Sequence, residues 1–274
     1  EVPAQKKFSR VLLYAGLFHQ CIAGPIVRYG DIENELTERV SDLSSMSAGF
    51  SRFTVGLAKK AVLANACGAA SDALLIADSA ALDAASLAVL QGRSALTLWA
   101  GMAFYMLQIY LDFSAYSDMA IGLGLICGLH YKENFNYPYV SSSVTEFWRR
   151  WHISLGTFFR DYVLYIPIFG KRRKYGGLFL VWLCTGIWHG ASWNFVLWGL
   201  YYGVFIFFEM QLGKKRIKKI PTLLRHIYSK IVILLGFAIF YYEDIPQLGQ
   251  FFRTAFGFGG QIGRAHVCTP VTRS

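Results

Sequence analysis

Two histidines lie in sequence motifs whose residues could catalyse a reaction. His152 is part of FWRRWHISLG, and His189 is part of CTGIWHGASWNFVLWG. An imidazole titrates at about 6.5, so it can take a proton from a hydroxyl and return one to a leaving thiol at neutral pH. Because a hydroxyl is a weak nucleophile until a base shares its proton, this chemistry suits acyl transfer from a thioester to a sugar hydroxyl.

His189 is the stronger candidate for a catalytic base. It interrupts an apolar segment, where a histidine is costly to bury and therefore indicates a functional role. Gly186 and Gly190 lie beside it, and we expect these small residues to open room for a substrate next to the ring. The structural alternative is a buried histidine that bridges two helices.

His152 is the second catalytic candidate. It could orient the acceptor, bind the acyl carbonyl or help move the proton, and the structural alternative is a histidine that packs one turn from Trp148. Groups that serve one reacting centre must lie within about 3 Å of it or one bridging water away. We therefore predict that His152 and His189 face one cavity that water can reach.

Substrate-binding candidates lie around the two histidines and in a long apolar run. Arg149 and Arg150 could hold the phosphate of an anionic donor, because a guanidinium group matches phosphate geometry. Glu146 precedes Arg150 by four residues, so a simple helical ion pair is the alternative. The other candidates are Asp112, Trp188, Trp193 and Asn194. The tryptophans could wall an acyl pocket or only pack within the bundle.

Covalent and metal chemistry fit the sequence less well. Cys184 precedes His189 by five residues, so the two side chains diverge on a helix and a nucleophilic cysteine is not favoured. Two histidines without a cluster of carboxylates make a poor ligand set, so no metal is expected. Asp112 and Asp118 could orient a histidine or cap a broken helix, and because residues six apart on a helix face different directions, they need not share a site.

The composition places these residues in a membrane protein. Hydrophobic residues make up 54% of the chain and charged residues only 16%, against about 25% charged residues in an average soluble domain. The mean hydropathy of +0.36 agrees. The net charge of +10 is carried by short clusters between apolar runs, as in cytoplasmic loops of membrane proteins. We therefore expect a lipid bilayer, and no nucleic acid, as a partner.

Apolar runs and helix breakers predict the elements that hold the histidines. Gly177–Leu212 is interrupted at His189. Since about 20 apolar residues cross a bilayer, Ser192–Leu212 is long enough for one span, whereas the segment before the break suits a half-helix. Val144–Phe169 is aromatic but charged, so we expect it at the membrane interface beneath the bundle. Thr222–Tyr242 offers one more span.

The first half of the chain is also predicted to be helical. Phe8–Val27 is predicted as a helix that ends at its proline, or as a helix followed by a re-entrant turn, and Arg28–Asp42 as a loop. Ala48–Ile76 is predicted as an amphipathic helix that runs along the interface or dips into it. Ser94–Leu129 has 36 residues, which exceed one crossing, so a kink or two tilted helices are expected there.

The two ends of the chain are interpreted separately. The chain begins at Glu1 rather than at methionine, so we expect an N-terminal truncation. The last residues, Ile262–Ser274, resemble translated sequencing-adapter DNA. We therefore expect one membrane domain over residues 1–261, truncated at both ends, and a non-native tail at 262–274 that makes no ordered contact.

Five ordered motifs carry a resemblance to a known family. They are AGPIVRY at 23–29, YLDFSAYSDMAIGLG at 110–124, FNYPY at 135–139, FWRRWHISL at 147–155 and GIWHGASWNFVLWGLYYG at 186–203. Together they resemble the bacterial branch of the membrane-bound O-acyltransferase (MBOAT) family, and in particular the members that act in alginate O-acetylation, with the D-alanyl transfer proteins of teichoic acid modification as cousins. The resemblance extends from Phe8 to Gly257.

The resemblance implies an all-α polytopic membrane protein of the bacterial cytoplasmic (inner) membrane. Its helical bundle would surround a central funnel or tunnel, with interfacial and re-entrant helices. His189 matches the family's catalytic histidine, and His152 matches its second motif histidine. No cofactor would be tightly bound. The donor would be an acyl thioester, acetyl-CoA or an acyl carrier protein, and the acceptor a polysaccharide or a periplasmic acetylation partner protein.

Two other functions stay open from the residues alone. A proton-coupled transporter could relay protons through His189, Asp112 and Asp118, although the sequence shows no internal repeat of the kind that many transporters carry. A non-catalytic membrane scaffold could recruit a periplasmic acetylation partner, although a scaffold would not need a histidine at a glycine-flanked helix break.

Overall fold

The computed structural model describes residues 5–21, 24–75, 84–167 and 173–258. All the regular secondary structure in these ranges is helical, and turns and loops join the helices. No strand occurs in these ranges, as the sequence predicts. The tail at 262–274 and the first residue of AGPIVRY lie outside them. The α-helices in the described ranges are α1 (Phe8–Ala15), α2 (Tyr29–Ile32), α3 (Leu43–Ala58), α4 (Asn65–Leu74), α5 (Ala84–Gly92), α6 (Ala95–Ile126), α7 (Val144–Arg150), α8 (Ile153–Tyr162), α9 (Lys174–His189), α10 (Trp193–Ile217), α11 (Thr222–Tyr241) and α12 (Ile245–Ala255).

The central element is α6, a single unbroken helix of 32 residues. The prediction of a kink or two helices in this run is therefore wrong. No proline lies inside α6 to break the backbone hydrogen bonds, and its two aspartates pair with lysines of the neighbouring helix instead of disrupting it. The chain bends before α6 begins, where α5 and α6 meet at 116°.

A second long helical segment lies along α6. It consists of α3, a π-helical turn at Lys59–Ala64 and α4, so the helix predicted from Ala48 begins earlier, at Leu43. Glycines allow close contact between the two segments: a Cβ on Gly49 would lie 2.6 Å from the backbone oxygen of Gly122. Such small-residue contacts are typical of helix pairs in membranes.

The predicted break at His189 is confirmed. The helix α9 ends at His189, Gly190 is extended, and α10 begins at Trp193. Among the described helices, α10 and α11 are each long and apolar enough to cross a membrane, and the bent pair of α5 and α6 would be a third candidate. The span predicted at Thr222–Tyr242 coincides with α11.

The predictions for the N-terminal segment need correction. The helix expected over Phe8–Val27 ends at Ala15, because Gly16 leaves the helical conformation there, and only a short 3₁₀ turn follows at Phe18–Gln20. The loop expected over Arg28–Asp42 contains one helical turn, α2. In contrast, the segment predicted at the interface forms two short helices, α7 and α8, over its described residues 144–167, and each of them is too short to cross a bilayer.

An aromatic core holds the C-terminal helices around the end of α9. Trp198 and Tyr202 of α10 are fully buried, and Trp148 of α7 packs edge-on against both of them. The hydroxyl of Tyr202 donates to the backbone oxygen of Ile233, 3.2 Å away, and so ties α10 to α11. This packing fixes where the last turn of α9 lies relative to the other helices.

Candidate active site

One cavity brings the two histidines together, as the sequence predicts. Its volume is about 380 Å³, and it is enclosed by α6, the turn between α7 and α8, the end of α9, and α10 and α11. The lining side chains that matter chemically are Gln108, Asp112, His152, Trp188, His189 and Phe240. Most of the wall is apolar and aromatic, so a reacting group inside would be partly shielded from water.

His152 caps the start of α8 in an unusual backbone conformation. Its φ and ψ angles of 43° and 56° lie in the left-handed region, which residues other than glycine rarely adopt. Strained residues of this kind persist only where their surroundings hold them, and they concentrate at functional sites. The ring packs edge-on against Phe113 of α6, with the ring centroids 4.7 Å apart.

The buried side chain of Asn134 determines which nitrogen of His152 carries the proton. The Oδ1 of Asn134 accepts a hydrogen bond from the backbone N–H of Ser154 at 3.2 Å, which fixes the orientation of the amide. The same Oδ1 lies 3.1 Å from Nδ1 of His152, so Nδ1 must donate. The other ring nitrogen, Nε2, then has a free lone pair and makes no hydrogen bond within the described residues.

Burial keeps the His152 ring neutral. His152 lies in the turn between two short helices, outside the candidate membrane spans. Burial, together with the nearby His189 imidazole, lowers the pKa of His152 to about 3. At neutral pH, Nε2 is therefore a hydrogen-bond acceptor.

His189 is the last residue of α9 and is surrounded by aromatic rings. Its ring packs edge-on against Trp198 at 4.8 Å and against Phe240 at 5.2 Å between centroids. Neither ring nitrogen hydrogen-bonds to a described residue, and neither is sealed from solvent. A ring held by packing but without polar partners can exchange a proton with a bound ligand.

The glycines beside His189 do not open substrate space, which corrects the sequence interpretation. A Cβ on Gly186 would lie 2.4 Å from the backbone oxygen of Phe195, and one on Gly190 would lie 2.6 Å from the Phe195 ring. The space next to these glycines is filled by α10. The cavity lies elsewhere around the His189 ring, between α6 and α11.

Trp188 and Asp112, two of the predicted substrate-binding residues, line the cavity. Trp188 packs edge-on against both histidines, with centroid distances of 6.2 Å to His152 and 5.0 Å to His189. Asp112 forms an ion pair of 2.6 Å with Lys60 and contacts no histidine. Asp118 pairs with Lys59 and Arg52. Among the described residues, neither aspartate makes a direct hydrogen bond or ion pair with a histidine.

Two other candidates from the His189 motif do not line the cavity. Trp193 is 73% exposed, at the start of α10. Asn194 is fully buried, and its Nδ2 donates to the backbone oxygens of Ile239 and Phe240 at 3.3 and 3.1 Å. That arrangement caps the end of α11, which is a structural role.

The two arginines also lie away from the cavity. Arg150 donates to Glu146 at 3.0 Å, the helical ion pair that the sequence offers as the alternative to donor binding. Arg149 is exposed and makes no ion pair within the described residues. It lines two other grooves. One of them also includes His152 in its wall, and the other also carries Lys174, Lys214 and Arg225.

Sequence reasoning missed three residues of the site. Trp198 and Phe240 pack on the His189 ring, and Asn134 holds His152. Asn134 directly precedes the FNYPY motif, but nothing in a single sequence connects a loop asparagine with a histidine 18 positions later. Among the described residues, no cluster of three or more histidine, cysteine or acidic side chains could hold a metal ion. Cys184 does not line the cavity.

Comparison with known proteins gives consistent matches. The model of the membrane-bound O-acyltransferase family, MBOAT, matches residues 6–242. The probable alginate O-acetylase AlgI of Pseudomonas aeruginosa is 35% identical over 275 aligned positions, which cover 97% of this chain and 50% of that protein.

Two further relatives, which align with less of this chain, are named for other polymers. The peptidoglycan O-acetyltransferase of Helicobacter pylori is 38% identical, with 72% of this chain and 36% of that protein covered. The teichoic acid D-alanyltransferase of Bacillus subtilis is 33% identical, with 50% of this chain and 39% of that protein covered. The chain spans about half the length of the alginate O-acetylases that it matches.

Proposed function

Because the chain belongs to the membrane-bound O-acyltransferase family, we propose that it is the histidine-bearing part of an enzyme that acylates the hydroxyls of an extracytoplasmic polysaccharide. The relatives named for alginate and peptidoglycan O-acetylation support acetyl as the acyl group. The apolar helices α10 and α11 support a membrane location, and we assign the protein to the bacterial cytoplasmic membrane, with several passes.

The observation that carries the proposal is the shared cavity of His152 and His189. In the proposed reaction, a sugar hydroxyl attacks the carbonyl carbon of a thioester, so that a C–O bond forms and the C–S bond breaks. The hydroxyl proton passes to His189 and from there to the departing thiolate. Trp188 and Phe240 wall the site and exclude water that would otherwise compete with the sugar as acceptor.

The donor is proposed to be acetyl-CoA or an acyl carrier protein. Both carry phosphate, and the exposed guanidinium of Arg149, beside Lys174 and Lys214, offers positive charge for it. Arg150 is already paired with Glu146, so Arg149 is the better candidate of the two. The acceptor side would take the polysaccharide directly or through a periplasmic partner protein.

A test begins with polymer from cells that carry the full-length gene or its deletion. Mass spectrometry of the cell-envelope polysaccharide should show O-acyl groups that disappear with the gene. Unchanged acylation in the deletion strain would contradict the enzyme and favour a transporter or a scaffold.

Two histidine variants test whether His189 is the catalytic base. His189→Ala should reduce the acetate released from polymer by a factor of about 10² to 10⁴, the usual contribution of a general base, without loss of membrane insertion. His130→Ala is the control, because that histidine is exposed and pairs with Glu35 outside the cavity. Normal acylation by His189→Ala would refute the assigned base.

A further inference from the structure

Asn134 is built into the turn that carries His152. Its side chain is fully buried. Its Oδ1 accepts from Nδ1 of His152 and from both the backbone N–H and the hydroxyl of Ser154. Its backbone oxygen accepts from the N–H of Ile153 at 2.9 Å. Its Nδ2 donates to Ser117 of α6 at 3.2 Å. One asparagine thus fastens three successive residues to the central helix.

These contacts fix the chemistry of the His152 ring. A backbone N–H can only donate, so the Ser154 contact places the amide oxygen, not the amide nitrogen, next to His152. Nδ1 of His152 then carries the proton, and Nε2 keeps its lone pair. A histidine whose partner fixes its tautomer in this way is restricted to one hydrogen-bonding role.

We propose that Asn134 is a positioning residue that holds His152 as the Nδ1–H tautomer, so that Nε2 accepts a hydrogen bond from a hydroxyl of the acceptor sugar. This inference rests on the proposed acyltransferase function. A sugar carries several hydroxyls, so one can donate to His152 while its neighbour gives its proton to His189 and attacks the thioester. His152 cannot donate to the thioester carbonyl from Nε2, because that nitrogen bears no hydrogen.

Asn134→Asp provides the sharpest test. The carboxylate keeps an oxygen next to His152 and Ser154 but adds a negative charge beside the imidazole, which raises the pKa of His152. On lowering the pH, the ring becomes an imidazolium and Nε2 becomes a donor. We expect kcat/KM for the acceptor to fall about 10-fold or more at pH 6, the effect of one mispaired hydrogen bond, and to recover as the pH rises.

The matched control is Asn136→Asp. It makes the same substitution two positions away in the same loop, on an exposed side chain, and should keep the wild-type pH profile. Ser117→Ala is a second control: it removes the contact on the other side of the Asn134 amide and should lower the melting temperature without adding a pH-dependent loss of activity. A purely structural role for Asn134 would make Asn134→Asp resemble Ser117→Ala.

A spectroscopic measurement separates this inference from the proposed function. ¹⁵N NMR of histidine-labelled full-length protein, assigned by loss of the signal in His152→Gln, should show a protonated Nδ1 and an unprotonated Nε2. A protonated Nε2 would overturn the inference even if the polymer is acylated, and so would an Asn134→Asp pH profile like that of the wild type. Absence of acylation by the wild type would instead overturn the function, while the NMR result would still decide the tautomer.

Discussion

Gly186 should be intolerant of even one added methyl group, because the backbones of α9 and α10 lie close together there. In Gly186→Ala, the new Cβ would lie 2.4 Å from the backbone oxygen of Phe195, whereas ordinary contact begins at 3.4 Å. The atom that it meets belongs to the backbone, so no side-chain rotation relieves the contact. The two helices must separate by about 1 Å locally, and overpacking of this kind costs about 1 to 3 kcal/mol.

The gain in helix propensity offsets part of that cost. Alanine is favoured over glycine within a helix by about 0.5 to 1 kcal/mol, which leaves a net loss of about 0 to 2.5 kcal/mol. Because the new Cβ meets backbone atoms that cannot rotate away, we expect a loss in the upper part of that range, about 1 to 2.5 kcal/mol. For a chain of this size, that corresponds to a melting temperature lower by about 2 to 10 °C. His189 is one helical turn beyond Gly186, and a displacement of about 1 Å at a catalytic group can cost a factor of about 10² in rate.

The assay compares melting in detergent and polymer acylation for two glycine variants. Gly249→Ala is the matched control: Gly249 lies within α12, and a Cβ there would meet nothing within 4 Å. Only the propensity gain remains, so Gly249→Ala should melt at the wild-type temperature or slightly above it, with full activity. If Gly186→Ala melts as high as Gly249→Ala and acylates polymer normally, the close contact of α9 and α10 is not as described.

Two further predictions concern buried polar groups. The pKa of His152 is lowered by burial to about 3, while in the unfolded chain it is about 6.5. The unfolded state therefore binds the extra proton. The free energy of unfolding should therefore be unaffected by this group above about pH 6.5. Between about pH 6.5 and pH 3 it should decrease as the pH is lowered, by up to about 1.4 kcal/mol per pH unit. The dependence of melting temperature on pH should be flatter in His152→Gln, and an identical slope would contradict the burial. Asn194→Ala should cost about 1 to 3 kcal/mol by leaving the backbone oxygens of Ile239 and Phe240 without a donor. It should leave KM for the acceptor unchanged, whereas a raised KM with normal melting would support substrate binding instead.

The elements predicted best from the sequence are those defined by local signals. The break at His189 follows from the glycine after it, and α11 follows from a continuous apolar run with its basic residues at the start. The kink expected in α6 was wrong, because length alone does not break a helix. The lysines that neutralise Asp112 and Asp118 lie in the π-helical turn that follows α3, and only the folded chain shows that contact.

The sequence predicted the two histidines of the candidate site, but it did not predict the residues that hold them in position. The two histidines could be selected from their motifs, since histidine is costly to bury and has few structural uses in apolar segments. The use of Gly186 could not be predicted: a small residue can open a pocket or admit a neighbouring helix, and the sequence does not distinguish the two. Asn134 depends on a long-range contact between a loop and a turn, for which a single sequence has no periodic signal.

The contrast between the two histidines explains why the proposed site needs both. Asn134 ties one nitrogen of His152 and thereby removes it from proton exchange, while the ring of His189 is held only by aromatic contacts. A base that receives a proton and then releases it must tolerate both protonation states, and a ring without fixed polar partners meets that condition. A group that orients a sugar must present the same lone pair throughout the reaction. A ring with a fixed tautomer, such as that of His152, satisfies this second condition. Of the roles open to His152 from its sequence, orientation of the acceptor is therefore the one that its hydrogen bonds favour.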